Sequence, residues 1–155
     1  MTRSENQTRP GAVSDREIVS TRVFAVSREQ MFEAWTTPDR LARWWGPRGF
    51  KNTFLELNLR PGGTWRFIMH GPDGTDYRNE SIFVEITHAE RIVLDHVSAP
   101  KFRLIATFGA QDGKTKLTFR QVFETAEVCR KVSVYAVEAN EQNFDRLEQE
   151  LARMV

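Results

Sequence analysis

The chain has 155 residues, of which 40% are hydrophobic and 28% charged, and its 22 basic side chains nearly balance 21 acidic ones. This length and balance are typical of one globular domain and exclude a disordered chain. Nucleic-acid-binding proteins usually carry a basic excess, because neutralising phosphates supplies most of their affinity. A net charge of +1 therefore argues against a nucleic-acid partner.

The cysteine content and the apolar segments indicate the cellular compartment of the protein. The single cysteine, Cys129, excludes an intramolecular disulfide and gives no sign of an oxidising compartment. The apolar runs are far shorter than the roughly 20 residues that cross a bilayer. The first 15 residues are polar and lack the apolar segment of a signal peptide. We therefore expect a cytoplasmic protein without a membrane partner, with a flexible tail over 1–15 and one domain over 16–155.

The residues after this tail predict one strand and then two short helices. Residues 17–24 are rich in β-branched side chains and predict the strand. Ser27 and Gln30 have the spacing of a capping box, which predicts the start of the first helix. Thr37-Pro38 ends that helix and begins the second, because proline suits the first helical position.

Turn signals divide the middle of the chain into six further strands. Residues 71–74 and 111–113 have the composition of hairpin turns, since glycine and aspartate tolerate positive φ. Consecutive hairpins imply an antiparallel sheet. Alternation in the first of these strands places Leu55, Leu57 and Leu59 on one face. The six strands are predicted at residues 53–59, 64–70, 76–87, 91–97, 102–110 and 114–124.

Residues 126–154 contain neither glycine nor proline and predict one long amphipathic helix. At about 1.5 Å per residue it would span the whole domain. Asn143 interrupts its apolar stripe, and a buried amide needs hydrogen-bond partners, which either a strand side chain or a ligand would supply. The stripe repeats at steps of three and four: Val128, Val132, Tyr135, Ala136, Ala139, Asn143, Leu147, Leu151 and Met154.

The residue types that carry most enzyme chemistry form no recognisable motif. The three histidines lack the short spacings of zinc sites, so we predict neither a metal nor a cofactor. Cys129 lies near the start of the last helix, but no histidine is placed as its base, and we interpret it as inert. Asp76, Glu80 and Glu85 are interpreted as solvated charges on the outer face of the sheet.

Several short segments, together with the order of the elements, match one family. The segments are residues 24–27, 31–39, 44–47, 60–65, 71–74, 85–87, 90–93 and 145–147. They resemble the family related to the activator of Hsp90 ATPase, within the START and Bet v 1-like helix-grip superfamily. The resemblance implies an α+β helix-grip fold: a curved antiparallel sheet of six to seven strands around a long C-terminal helix, with two short helices after the first strand. Where the family usually has a Gly-Trp pair in the last helix, this chain has Ala139 and Asn140.

A curved sheet that holds one helix leaves an internal volume, which side chains must fill or a ligand must occupy. We predict that a small apolar or aromatic molecule binds there, between the sheet and the last helix. Tyr135, Asn143 and His96 would orient its polar atoms, since a few convergent polar groups in an apolar cavity are typical of ligand sites. The predicted lining is Trp44, Trp65, Phe67, Met69, Phe83, His96, Phe108, Phe119, Tyr135 and Asn143.

Two other functions and a plain core remain open. Each aromatic residue of this lining is also explained as ordinary core. A protein-interaction module, as the co-chaperone relatives suggest, would expose Trp44, Trp45 and the loop at 46–50 as an apolar patch. An enzyme such as a cyclase or hydrolase would need inward polar groups placed around a substrate. Both a monomer and a homodimer are compatible with the sequence.

Overall fold

The computed structural model describes residues 14–154 and forms a curved seven-stranded antiparallel sheet around one long helix. The strands are ordered β1-β7-β6-β5-β4-β3-β2 across the sheet. This architecture confirms the predicted helix-grip fold, whereas most of the predicted tail, residues 1–13, lies outside the described residues. The elements are β1 (Glu17–Phe24), α1 (Arg28–Thr36), α2 (Pro38–Trp44), β2 (Lys51–Leu57), β3 (Thr64–His70), β4 (Asp76–Thr87), β5 (Arg91–His96), β6 (Phe102–Gln111), β7 (Lys114–Phe123) and α3 (Ala126–Arg153).

Helices α1 and α3 begin at side-chain caps, and α2 begins at a proline. The Ser27 side chain accepts a hydrogen bond from the Gln30 backbone, and the Gln30 side chain accepts one from the Ser27 backbone, so the predicted capping box is present. Thr37 ends α1 and precedes Pro38 at the start of α2, also as predicted. The Thr125 hydroxyl caps α3 by accepting from the Val128 N–H at 3.1 Å.

Strand β2 departs from simple alternation. A bulge between Phe54 and Glu56 inserts an extra residue against β3. Leu55 is consequently 47% exposed, whereas Phe54 and Leu57 both pack against the core. The predicted face of three leucines is therefore wrong at Leu55, because a bulge reverses the side-chain parity that follows it.

Helix α3 packs to one side of the sheet, against β1 and β7, and against α1 and α2. This orientation rotates its buried face away from the predicted stripe. Tyr135, predicted to point inward, is 58% exposed, and four residues outside the stripe are buried. The four are Cys129, Asn140, Phe144 and Glu150.

The core lies between the sheet, the two short helices and the second half of α3. It is a network of aromatic rings and leucines, most of them under 5% exposed. Trp44 is 1% exposed, and its indole N–H donates to the Ala34 carbonyl at 2.9 Å. Across the described residues we find no helix whose length and hydrophobicity would let it cross a bilayer.

Candidate ligand-binding groove

A groove of about 720 Å³ lies between the first half of α3 and the part of the sheet formed by β3 and β4. This volume is within the range that small-molecule sites occupy, about 300–1,000 Å³. Four parts of the chain contribute: the α2–β2 loop, β3–β4, the β5–β6 loop and α3. The lining residues are Pro47, Phe50, Met69, Asp76, Tyr77, Arg78, Asn79, Ala99, Pro100, Tyr135 and Ala139.

The groove exists because α3 covers only one side of the sheet. The helix packs on β1 and β7, and in the described chain it makes no comparable packing with β3 or β4. On the uncovered side, Met69 of β3 lies opposite Tyr77 of β4. Met69 shares the face of buried Phe67, and Tyr77 shares the face of buried Phe83, since side chains repeat every two residues along a strand.

Aromatic rings form the walls of the groove and remain open to solvent. Tyr77 is 46% exposed and Tyr135 is 58% exposed. Phe50 lies beside Tyr77, with ring centroids 5.9 Å apart. Partly exposed aromatic rings gathered in one concave region are typical of binding sites, because apolar surface is favourably removed from water by a ligand.

Two hydrogen-bonded groups fix the polar part of the wall. The Asp76 carboxylate lies 2.8 Å from Nδ1 of His70, whose Nε2 lies 2.7 Å from the Thr53 hydroxyl. The Asn79 amide donates to the Tyr77 carbonyl at 3.0 Å. These contacts hold the side chains of β4 in place at the edge of the groove.

His96 lies behind the groove and contacts two of the residues that line it. Its Nδ1 lies 2.8 Å from the Pro100 carbonyl oxygen and its Nε2 lies 2.8 Å from Oδ1 of Asn79, two acceptors of which the single N–H of a neutral imidazole bonds one at a time. The ring also stacks on Phe102, with centroids 4.8 Å apart. Burial lowers the pKa of His96, and the hydrogen bond to Pro100 opposes part of that effect. The imidazole thus lies between two lining residues, Asn79 and Pro100, without itself lining the groove.

Arg146 of α3 holds the loop that closes one end of the groove. Its guanidinium donates to the carbonyls of Arg43, Trp45, Gly46 and Pro47 at 2.7–3.1 Å. A cation in this position also complements the negative end of the α2 dipole. Gly46 has φ of +101°, a conformation that other residues rarely adopt, so the loop requires glycine there.

The buried amides of α3 are satisfied within the protein. Asn143 donates to the Trp44 carbonyl at 2.6 Å, so its partner is the end of α2 and not a strand side chain or a ligand. Asn140 donates to Gln121 at 2.9 Å and to Ser20 at 3.3 Å. Asn140, Gln121 and Ser20 are all at least 90% buried and form one polar contact between α3 and the sheet.

The ten predicted lining residues separate into three groups. Met69 and Tyr135 line the groove, and His96 lies one hydrogen bond behind it. Asn143 binds the end of α2. The six others share the buried aromatic core: Trp44, Trp65, Phe67, Phe83, Phe108 and Phe119.

Sequence reasoning missed Phe50, Tyr77, Asn79 and Pro100 as lining residues. A signal for two of them was present, because counting back in steps of two from Phe83 places Asn79 and Tyr77 on its face. No comparable pattern marked Phe50 or Pro100, since both lie in loops whose path depends on the assembled fold.

Two alternative features lack the chemistry of a ligand site. A second groove, of about 700 Å³ along the second half of α3, contains no aromatic residue, and most of its lining is charged or amide-bearing. The predicted patch of exposed tryptophans is absent, since Trp44 is buried and Trp45 packs against the core. Among residues 14–154, no group of three acidic, histidine or cysteine side chains is arranged to hold a metal ion.

Comparisons with known structures show the same fold at low sequence identity. A protein from Rhodobacter sphaeroides is 23% identical, with a TM-score of 0.84 over 96% of this chain and 99% of the other. A protein from Nitrosomonas europaea is 18% identical, with a TM-score of 0.83 over 91% and 97%. A Mycobacterium smegmatis protein is 21% identical, with a TM-score of 0.83 over 94% and 96%.

Family membership rests on a match that covers most of the sequence. No curated protein matches the chain. The model of one protein family does match it, over residues 25–152, from the end of β1 nearly to the end of α3. The protein therefore belongs to the family described as activator of Hsp90 ATPase homolog 1-like proteins.

Proposed function

We propose that the groove beside the first half of α3 binds a small, mainly aromatic molecule. The observation that carries the proposal is the pair of partly exposed tyrosines, Tyr77 and Tyr135, in a groove of about 720 Å³. The core beneath the two short helices and the second half of α3 is packed with buried aromatic rings, whereas this groove is open. An aromatic ring would contact Phe50 and Tyr77 on one wall and Tyr135 on the other, above Met69.

The expected affinity is modest. Burying about 300 Å² of apolar ligand surface at about 25 cal/mol/Å² contributes roughly 7 kcal/mol, and association costs at least about 4 kcal/mol. Two hydrogen bonds, to Asn79 and to a tyrosine hydroxyl, would add roughly 2–3 kcal/mol. The sum corresponds to a Kd on the order of 100 μM. Polar contacts would therefore decide which ligand is preferred.

The proposal is tested by screening aromatic metabolites and fatty acids against the ¹⁵N-labelled protein by NMR. Binding should shift the amide resonances of Phe50, Met69, Tyr77 and Tyr135 in a saturable manner. Replacing Ala139 with tryptophan should fill the groove and abolish the shifts, whereas Val84→Ala, on another part of the surface, should leave them unchanged.

Two results would contradict the proposal. The first is a screen in which no compound shifts these resonances at millimolar concentration. The second is an A139W variant that folds normally and binds the same compound with unchanged affinity. Far-ultraviolet circular dichroism and the melting temperature establish whether the variant is folded.

A further inference from the structure

The outer face of α3 carries a short apolar stripe that nothing in the described chain covers. Val134 is 86% exposed and Val137 is 52% exposed. Arg130 precedes them by one turn, and Glu141 follows by one turn. The spacing of 4, 3 and 4 residues places all four side chains on one strip of the helix, about 60° wide at 3.6 residues per turn.

The charges at the two ends of this stripe are opposite and incompletely neutralised. Arg130 is exposed, and it forms no ion pair with another residue between 14 and 154. At the other end, Glu141, Asp145 and Glu148 surround Arg22 at 2.9, 2.9 and 3.2 Å, and Asp145 also lies 4.0 Å from the guanidinium of Arg48. Three carboxylates beside two guanidiniums leave an excess of negative charge there.

We infer that the stripe is the contact surface for a second copy of this chain, with the two α3 helices antiparallel across a two-fold axis. Val134 of each copy would then pack against Val137 of the other. Arg130 of each copy would lie beside Glu141 of the other, where it would neutralise the excess negative charge. A two-fold contact is self-complementary in this manner, because each residue pair occurs twice.

The direction of the pairing follows from the same four residues. In a parallel arrangement Arg130 would face Arg130 and Glu141 would face Glu141, and like charges would repel. In the antiparallel arrangement the acidic second half of each helix lies beside the N-terminal half of its partner. The N-terminus of a helix carries a partial positive charge, which favours this direction further.

The inferred contact leaves the ligand groove free. Tyr135 and Val134 are adjacent in the helix, so their side chains point about 100° apart. Tyr135 lines the groove, and Val134 projects away from it. Self-association and ligand binding are therefore separable by mutation, and failure of one proposal says nothing about the other.

Sedimentation equilibrium of the full chain tests the inference by measuring mass against concentration. The weight-average mass should rise from 18.0 kDa towards twice that value. We expect the rise between about 10 μM and about 1 mM, since the contact is small compared with a standard protein interface. Arg130→Glu and Glu141→Arg should each lower the association constant about tenfold or more, because each creates two like-charge contacts.

An equimolar mixture of the two single variants provides the decisive control. In the mixed dimer, the carboxylate introduced by R130E would face the guanidinium introduced by E141R. The two unchanged residues would also pair, so association should return to the wild-type level. Val137→Asn should abolish association, whereas Leu55→Asn, at an apolar residue of similar exposure (47% against 52%), should not. The inference is overturned if the wild type stays monomeric throughout, or if the mixture associates no better than either variant alone.

Discussion

The two halves of α3 lie over different kinds of surface. The second half, residues 140–153, buries Phe144, Leu147 and Leu151 in the aromatic core, each at most 2% exposed. The first half, residues 126–139, buries only a smaller cluster that includes Val132 and Ala136. The side of the first half that faces β3 and β4 borders the open groove instead.

This difference follows from side-chain size along the helix. Phe144 contacts Phe24 and Phe119 edge to face, with centroids 6.0 and 5.8 Å apart, so it fills the space between helix and sheet. At the groove the helix supplies Ala139, which is too small to reach the sheet, and Tyr135, which projects outward. One helix thus packs on the aromatic core with one half and borders the open groove with the other.

The largest expected effect comes from truncating a matched aromatic residue in each half. Phe144→Ala should lower the free energy of unfolding by about 4 kcal/mol, because it removes a fully buried ring and leaves a cavity. Tyr135→Ala should change it by less than about 0.5 kcal/mol, because its ring is mostly solvated. Urea denaturation followed by circular dichroism measures both values.

The same pair of variants separates stability from ligand binding. Tyr135→Ala should weaken ligand binding about tenfold or more, since it removes one wall of the groove. If the two variants destabilise the protein equally, the two halves of α3 do not differ as described.

The second prediction concerns Glu150, a buried carboxylate in the packed half. Its side chain is 3% exposed and accepts two hydrogen bonds from Arg43, at 2.9 and 2.8 Å, and one from Arg40, at 3.3 Å. Glu150→Gln should lower the free energy of unfolding by about 3 kcal/mol, because it removes a buried carboxylate and leaves the partly exposed Arg40 and Arg43 without their counter-charge. Glu148→Gln, at 59% exposure, is the matched control and should cost less than about 1 kcal/mol.

The pH dependence of the Glu150 effect has a definite sign. The hydrogen bond from Arg43 lowers the pKa of Glu150 below its ordinary value of 4.5, although burial opposes this. The ionised carboxylate therefore stabilises the fold above pH 4.5, and that stabilisation is lost as the pH falls through the lowered pKa. The difference between wild type and E150Q should shrink over that range. A difference that stays constant down to the acid transition would contradict this account.

The sequence predicted local features of the fold better than the position of α3 over the sheet. Capping at Ser27, proline at Pro38 and the hairpin turns are local signals, and each appears where it was expected. The exposure of Tyr135 is not determined by its neighbours in the sequence, because it depends on which side of the sheet α3 packs against. The predicted stripe included Tyr135 and left out Phe144, because both edges of the helix carry aromatic residues and their spacing does not indicate which edge faces the core.

The sequence also did not predict the hydrogen-bond partners of the buried amides. Asn143 was expected to meet a strand side chain or a ligand, whereas it binds the last carbonyl of α2. That contact requires α2 to end beside α3. The tertiary packing brings these two ends together, and residue spacing in the sequence does not indicate it. The lining residue Pro100 was missed for the same reason, since the β5–β6 loop reaches the groove only in the folded protein.

The third prediction tests the boundary between the two halves, where Asn140 bonds Gln121 and Ser20. Asn140→Ala should lower the free energy of unfolding by about 2 kcal/mol, because it leaves the buried Gln121 carbonyl oxygen without a donor. Gln121→Leu combined with Asn140→Leu should recover much of this loss, since both polar groups are then removed together. A double variant as unstable as N140A would indicate that the loss of stability comes from the changed side-chain packing and not from the unpaired polar group.

The smallest effect is expected at His96, and it should be confined to the open half. Because burial lowers its pKa below the ordinary value of 6.5, the unfolded chain takes up a proton at a pH where the folded chain does not. This residue therefore destabilises the fold as the pH falls below 6.5, with a slope of at most about 1.4 kcal/mol per pH unit. His96→Gln should reduce that slope. Amide shifts as the pH falls through this lowered pKa should include Asn79 and the β5–β6 loop, which flank the imidazole, and should spare Phe144 and Leu147. Titration shifts spread evenly over both halves of α3 would mean that the groove and the core are not independent, and that the helix responds as one rigid unit.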